Sequence, residues 1–307
     1  MPKVSVLMTV YNGMPFLPPA VESVLGQTFQ DFDFVIVNDG STDATADYLA
    51  SLDDPRIRVI TQENGGTAAA ANHGLQHCHG ELLARMDADD ISLPQRFEKQ
   101  VAFLDAHPQV GLVGTQMAPM GLNKVGKSLH LPLTHQEIYP SMRKGYHGLA
   151  HSAIMMRTEL LKQIGGYWSF RLIDDWDMML RMGEVAELAN IDEVLHHYRV
   201  HGGSLNGQAM RRMRSHIAFA CALADRREAQ APAITYDEFL EQQKKRPAYI
   251  RLKDAMLSYS LHHYRVAVAD IYGSHPVKGY LRMGWAAACN PWWTVRRVAR
   301  TIGLAGH

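Results

Sequence analysis

The chain of 307 residues predicts an α/β fold: a Rossmann-like, mostly parallel sheet flanked by helices, followed by a helical C-terminal extension. Three features carry that expectation. Short runs rich in Val, Ile and Leu alternate with helix-period segments over the first 115 residues, the pattern of βαβ units. Those runs are apolar almost without interruption, as strands covered on both faces must be. Beyond about residue 208 the periodicity is helical throughout.

Residues 4–10 form the first strand and 15–25 the first helix. Residues 33–38 are the second strand, and Asp39-Gly40-Ser41-Thr42-Asp43 is a turn whose Ser41, Thr42 or Asp43 caps a helix running through Leu52. A strand at 57–60, a helix at 67–77 and a strand at 81–86 follow, then a helix at 94–106 and a strand at 110–113. Right-handed crossovers make this an open parallel sheet, with ligands at the carboxyl ends of its strands. That rule places Thr9-Val10-Tyr11, Asn38-Asp39 and Asp87-Ala88-Asp89 on one rim. Residues 116–204 are less regular, with strands at 152–156 and 194–200 and helices at 158–164 and 174–182. Long helices are expected at 210–227, 236–245 and 248–272.

A hydrophobic content of 47% with 20% charged residues describes an ordinary globular chain. No apolar stretch approaches the roughly 18 residues of a spanning helix, and residues 4–10 enter a strand pattern at once, so no signal sequence is expected. Cys78, Cys221 and Cys289 are odd in number and far apart, which fits neither a disulfide framework nor a zinc site and suggests a reducing cytoplasm. The net charge of zero conceals an asymmetry: residues 1–204 carry 15 Lys and Arg against 24 Asp and Glu, whereas 205–307 carry 16 against 7. A basic C-terminal third suggests contact with something anionic, although solvated helix faces give the same count.

Met86-Asp87-Ala88-Asp89-Asp90 sets three carboxylates at the end of an apolar strand. Hard divalent cations prefer such oxygen ligands, and Mg²⁺ is commonly held by one or two carboxylates plus substrate phosphates. One acid here could cap the following helix; three exceed what a cap needs. In order along the chain, Val6–Asn12, Val37–Asp43, Asn64-Gly65-Gly66 leading to Asn72, and Ala84–Asp90 strongly resemble glycosyltransferase family 2, over roughly residues 3–204.

That resemblance implies a GT-A fold and an inverting, hexosyl-type transfer from a nucleotide sugar, UDP-linked by expectation. It implies a donor half at about 1–115, an acceptor half at about 116–204, and Mn²⁺ or Mg²⁺ as cofactor. Thr9, Val10 and Tyr11 would hold the nucleotide base and Asp39 would accept a hydrogen bond from it, a pairing suited to reading uracil. Gly66 would border the donor, and Asn72 would either border it or serve the structure. Relatives carry Arg where Ala71 stands, so Arg85 or another base would meet the diphosphate. Asp87 and Asp89 match the Asp-x-Asp motif, with Asp89 on the cation and Asp87 on the ribose or a metal-bound water; Asp90 is a cap or a supporting partner.

Gly165-Gly166-Tyr167 followed by Asp174-Asp175 resembles the acceptor-side motif, making Asp175, or Asp174 beside it, the general base. An acidic first helical turn would look the same. Tyr198–Ser204 resembles the stretch after the family's last core strand, where a His completes the metal shell or touches the diphosphate, which makes His201 the candidate. His151 matches a frequent position near the acceptor, without an assigned role. His196-His197 point to opposite faces, a poor geometry for one metal. The acceptor is expected to be a glycan or lipid-linked glycan, with no nucleic acid involved. Residues 291–304 show apolar and basic arcs at helical spacing, the pattern of a helix on anionic lipid; packing on the domain or a homo-oligomer contact would also account for it. A sugar nucleotidyltransferase or a dinucleotide oxidoreductase would need a Gly-rich loop after the first strand, and Tyr11–Pro15 lacks one. An inactive scaffold on the same fold is the non-enzymatic alternative, disfavoured by the retained acids.

Overall fold

The computed structural model describes all residues except 122–123, 169–173, 201–206, 274 and 292–307. His201 and nearly all of the 291–304 segment therefore lie outside the described residues. The chain divides into two compact units. The first comprises Met1–Pro119, Val125–Arg199 and Ala220–Asp225, and the second Met120–Lys124, Val200–Phe219 and Arg226–His307.

The first unit is built on an eight-stranded sheet. Its strands are β1 (Val4–Val10), β2 (Phe32–Asn38), β3 (Ile57–Thr61), β4 (Leu82–Asp87), β5 (Ile91–Ser92), β6 (Val110–Met120), β7 (Met155–Arg157) and β8 (Glu187–Arg199), in spatial order β3-β2-β1-β4-β7-β6-β8-β5. The four strands β3-β2-β1-β4 are mutually parallel. Beyond them the sheet is mixed: β7 runs antiparallel to β4 and β6, and β5 antiparallel to β8. The strand expected at 110–113 continues to Met120, because Gly111, Gly114 and Pro119 interrupt its apolar pattern without ending its pairing. The strand expected at 152–156 is instead a 3₁₀ turn (His151–Ala153) followed by the three residues of β7.

Both faces of the parallel strands are covered, which explains their apolar runs. Val4, Val6 and Met8 of β1 share one core with Leu17, Ala20, Val21 and Val24 of α1 (Leu17–Leu25) and with Phe97, Val101 and Leu104 of the helix Arg96–Ala106. Leu7, one pleat out of step, faces the other side. There the helix Thr67–Leu75 packs so closely that a Cβ on Gly74 would stand 2.3 Å from Leu7 Cδ1 and 2.8 Å from Val37 Cγ2. With α2 (Thr45–Ala50) following α1 in sequence, these helices are α3 (Thr67–Leu75) and α4 (Arg96–Ala106). Helices α5 (His135–Arg143), α6 (Thr158–Gln163) and α7 (Asp174–Val185) complete the unit, with residues 220–225 of α8 (Gly207–Glu228).

In the second unit, α9 (Tyr236–Lys244) is opened by a capping box in which Thr235 and Glu238 satisfy each other's backbone. Tyr236 and Phe239 of α9 pack edge-on and tilted against Phe219. Helices α10 (Ala248–Tyr272) and α11 (Pro276–Cys289) form an antiparallel hairpin in which Ser260 Oγ donates to the Ala286 carbonyl at 2.8 Å.

Candidate active site

The parallel register assembles a rim from distant segments. Thr9 stands level with Val37 on one side and Asp87 on the other, and Val10 with Asn38. Tyr11, Asp39 and the turn after Asp87 therefore leave the sheet together, at its carboxyl edge. Val10 is buried, whereas Tyr11 is half exposed. Asn12, with φ at 52°, accepts from the Thr42 amide at 2.7 Å and donates its own amide to Ser41 Oγ at 3.0 Å. Gly13 N–H donates to Thr45 Oγ1 at 2.9 Å. Of the three expected caps, Asp43 is the one whose carboxylate accepts from the first amide of α2, at 3.0 Å. Ser41 and Thr42 fasten the β1 loop instead.

Asp39 is 4% exposed. It accepts from Gln62 Nε2 at 2.8 Å and from the backbone amides of Gly65 and Gly66 at 2.9 Å each. Gln62 is itself oriented by the His73 ring, 2.7 Å from its Oε1. Gly66 needs no side chain at φ 86°, and a Cβ on Gly40 would lie 2.8 Å from the Asn64 amide. The glycines thus bring backbone donors onto a carboxylate that has about four lone-pair sites, leaving one for a further N–H.

The three acids after β4 have different surroundings. Asp90 is buried at 1% exposure, with Oδ2 at 2.8 Å from His196 Nε2 and Oδ1 accepting from the Arg199 amide at 2.8 Å. It is the supporting partner that the sequence suggested. Asp87, the last residue of β4, keeps 42% of its side chain open and leans on Arg85 at 3.4 Å. Asp89 is half-buried, and its carbonyl accepts from Arg199 Nε at 2.5 Å. Withdrawal from water pushes the Asp87 and Asp90 carboxyls above the usual range. For Asp87 the neighbouring Asp90 and Asp89 add to this and Arg85 opposes it.

Two buried arginines lie behind these acids. Arg85 is sealed at 0% exposure and donates to the Leu7 carbonyl at 2.9 Å, which corrects the expectation that it reaches a diphosphate. Arg96, equally sealed, donates to the Arg85 carbonyl at 2.7 Å and the Ile154 carbonyl at 3.1 Å. These cations orient the acid turn from beneath while the carboxylates of Asp87 and Asp89 remain partly open. Two hard oxygen donors crowded by like charge fit a divalent cation whose remaining ligands come from phosphate. Among the described residues no three His, Cys, Asp or Glu side chains converge as a self-sufficient metal cage.

The second acidic site begins α7. Asp175 is half-buried and accepts from the Trp176 amide at 2.7 Å; Asp174 is the first helical residue. A chain of contacts connects this helix to the Gly165-Gly166 turn and, through Tyr167, to α3. Asp177, one turn in, holds Arg181 at 2.7 Å, and Arg181 donates to the Gly166 carbonyl at 2.8 Å. Asn72 on α3 exchanges two bonds with the Tyr167 backbone, donating at 2.6 Å and accepting at 2.9 Å. Its amide is therefore a clasp between α3 and the backbone after the Gly165-Gly166 turn. Tyr167 Oη lies 3.2 Å from His151 Nε2, and its ring faces the Arg85 guanidinium at 5.8 Å. Burial holds His151 well below the usual histidine range, with Arg85 adding to the effect. Tyr167, Arg181 and His196 support the site through contacts that span distant parts of the chain. The i,i+4 spacing of Asp177 and Arg181 was a local signal for one of them.

Comparison with known proteins bears on this arrangement. The family model described as glycosyl transferase family 2 matches residues 5–165, from β1 to the Gly165-Gly166 turn. The chain belongs to that family. It is 36% identical over 207 residues to the putative glycosyltransferase EpsE of Bacillus subtilis (strain 168), covering 64% of this chain and 73% of EpsE. Against the amylovoran biosynthesis glycosyltransferase AmsE of Erwinia amylovora it is 32% identical, covering 65% and 76%. Among solved structures, S. aureus TarS 1-349 in complex with UDP-GlcNAc aligns with a TM-score of 0.58 at 16% identity, over 99% of this chain and 93% of that one. Mannosyltransferase PcManGT from Pyrobaculum calidifontis, in complex with GDP-Man and Mn²⁺, aligns at 0.59 and 21%, over 99% and 87%. The fold of this family 2 glycosyltransferase is thus GT-A-like: a mixed sheet flanked by helices, with C-terminal helices beyond it.

Proposed function

We infer that this family 2 enzyme is a metal-dependent, inverting transferase. It moves a sugar from a UDP-sugar to a hydroxyl of a glycan or lipid-linked glycan in surface polysaccharide synthesis. The observation that carries the reading is the common rim: Asp39 and the Asp87–Asp90 turn leave the parallel strands β2 and β4, on either side of β1, at the same edge, and α7 is tied through Arg181 to Gly166, next to the Tyr167 backbone that Asn72 of α3 holds. Asp39 offers one remaining acceptor site to a base N–H, beside Thr9, Val10 and Tyr11. Gly66 gives backbone access at the start of α3.

Asp89 and Asp87 would hold Mn²⁺ or Mg²⁺, with His201 as candidate third ligand. When bound, the cation offsets charge growing on the departing nucleoside diphosphate. Asp175, with Asp174 as its neighbour, takes the proton of the acceptor hydroxyl on the face opposite the leaving group. The assignment of AmsE to amylovoran biosynthesis supports a polysaccharide product. The ligands of TarS and PcManGT support a nucleotide-sugar donor and, for PcManGT, manganese. No helix among the described residues is long and apolar enough to cross a membrane, and the proposed workplace is the inner membrane surface.

The test is nucleotide release from a panel of UDP- and GDP-sugars, with and without Mn²⁺. Cation-dependent release of UDP from one sugar, abolished in Asp89→Asn, is the expected result. Failure of every donor to release nucleotide or to raise the melting temperature would end the reading.

A further inference from the structure

The α10–α11 hairpin carries an apolar face turned outward. On α11, Val277, Tyr280, Leu281 and Trp285 recur at helical spacing and are 56–74% exposed, while Gly279 and Ala286, on the opposite arc, are buried. The buried arc faces α10: a Cβ on Gly279 would meet Ile271 and the Ala267 carbonyl within 2.7 Å. On α10, Tyr249, Leu252, Met256 and Tyr259 form a second exposed stripe. An exposed helix face of this kind is the reverse of ordinary amphipathic packing and marks an interaction surface.

Charge identifies the occupant. Residues 244–290 hold eight Lys and Arg against two acids, Asp254 and Asp270, and those two are already paired, to Arg246 and Arg282. Lys245, Arg251, Lys253 and Lys278 have no ion-pair partner among the described residues, and all four are exposed. Apolar residues with Trp and Tyr, in a segment that also carries uncompensated cations, match an anionic bilayer surface, where rings sit at headgroup level and cations meet phosphate. The sequence continues in the same style, with Trp292, Trp293, Arg296, Arg297 and Arg300.

We propose that the outward face of α11, with Lys278 and the other unpaired cations of residues 245–278, docks this enzyme on an anionic lipid surface. The proposal deepens the reading of a membrane-side acceptor, and it stands on a different observation from the acid rim. The test is co-sedimentation of the full chain with phosphatidylglycerol-containing vesicles and with pure phosphatidylcholine vesicles. The double variant Val277→Asp/Leu281→Asp is run beside the unaltered chain. Both positions are nearly three-quarters exposed, so the variant should keep its circular dichroism and its nucleotide release in solution.

The expected result is pelleting with anionic vesicles, reduced at least about fivefold on neutral vesicles, in the variant, and at about 1 M salt. Equal pelleting of the variant, or none by the unaltered chain, overturns the proposal. So does a dimer in light scattering that the variant abolishes without any vesicle binding, since a second copy would then be the occupant. Vesicle binding without nucleotide release from any donor would refute the transfer reading while leaving this surface standing.

Discussion

Asp90 Oδ2 and His196 Nε2 lie 2.8 Å apart although 106 residues separate them in the chain. Both side chains are sealed from solvent, and Ser152 Oγ stands 3.0 Å from the same nitrogen. The bond fastens the acid turn after β4 to β8, whose Arg199 also grips that turn through its amide and guanidinium. The carboxylates of Asp87 and Asp89 are thus presented from a turn anchored on the side away from them.

Asp90→Ala leaves the His196 ring and the Arg199 amide without their acceptor in a dry site. A loss of about 1–3 kcal/mol follows from unsatisfied buried polar groups. Urea unfolding at neutral pH measures it, and a loss below about 0.5 kcal/mol would show that water replaces the carboxylate.

The same pair makes stability depend on pH in a signed way. Burial, with Arg96 adding, pushes His196 down from 6.5, so the folded protein refuses a proton that the unfolded chain accepts as pH falls through that value. The stability supplied by neutral His196 is therefore present above about pH 6.5 and is lost on acidification. Burial pushes Asp90 up from 3.8, with the opposite sign: the folded state takes a proton before the unfolded chain does and recovers stability as pH falls through the raised value. Asp90→Asn keeps only the histidine part. Its melting temperature should drop further than wild type between about pH 7.5 and about pH 5; an equal drop would refute the coupling.

The roles proposed for the acids of the rim and of α7 separate in their kinetics. Asp175→Asn should lower kcat by about 10²–10⁴-fold with donor binding intact, as loss of a general base does. Asp89→Asn should weaken Mn²⁺-dependent stabilisation by UDP as well as turnover. Near-normal kcat in Asp175→Asn would transfer the base role to Asp174 or elsewhere.

Thiol chemistry offers a check on the fold itself. Burial pushes Cys78 up to about 12 and Cys221 up to about 11, whereas Cys289 is only half-buried. A disulfide reagent at about pH 8 should find one fast thiol in the native protein and three in denaturant, because the thiolate is the reacting form. Two or three fast thiols would mean that the packing of α3 on the sheet, or of α8 on α5, opens readily.

The sequence by itself determined the strands β1 to β4, the rim they share and the acids placed on it. Apolar runs, turn residues and strand-end carboxylates are local signals, and the parallel crossover rule turns three of them into one edge. It could not determine that β6 runs on through Gly111, Gly114 and Pro119, or that the sheet turns mixed beyond β4. Pairing direction is decided by partners far away in the chain. Nor did it disclose that Arg85 and Arg96 lie buried behind the acids, that Asn72 clasps Tyr167, or that His196 anchors Asp90. A side chain's type is written in the sequence, but whether it faces water, a ligand or a buried countercharge depends on which distant surfaces fold against it.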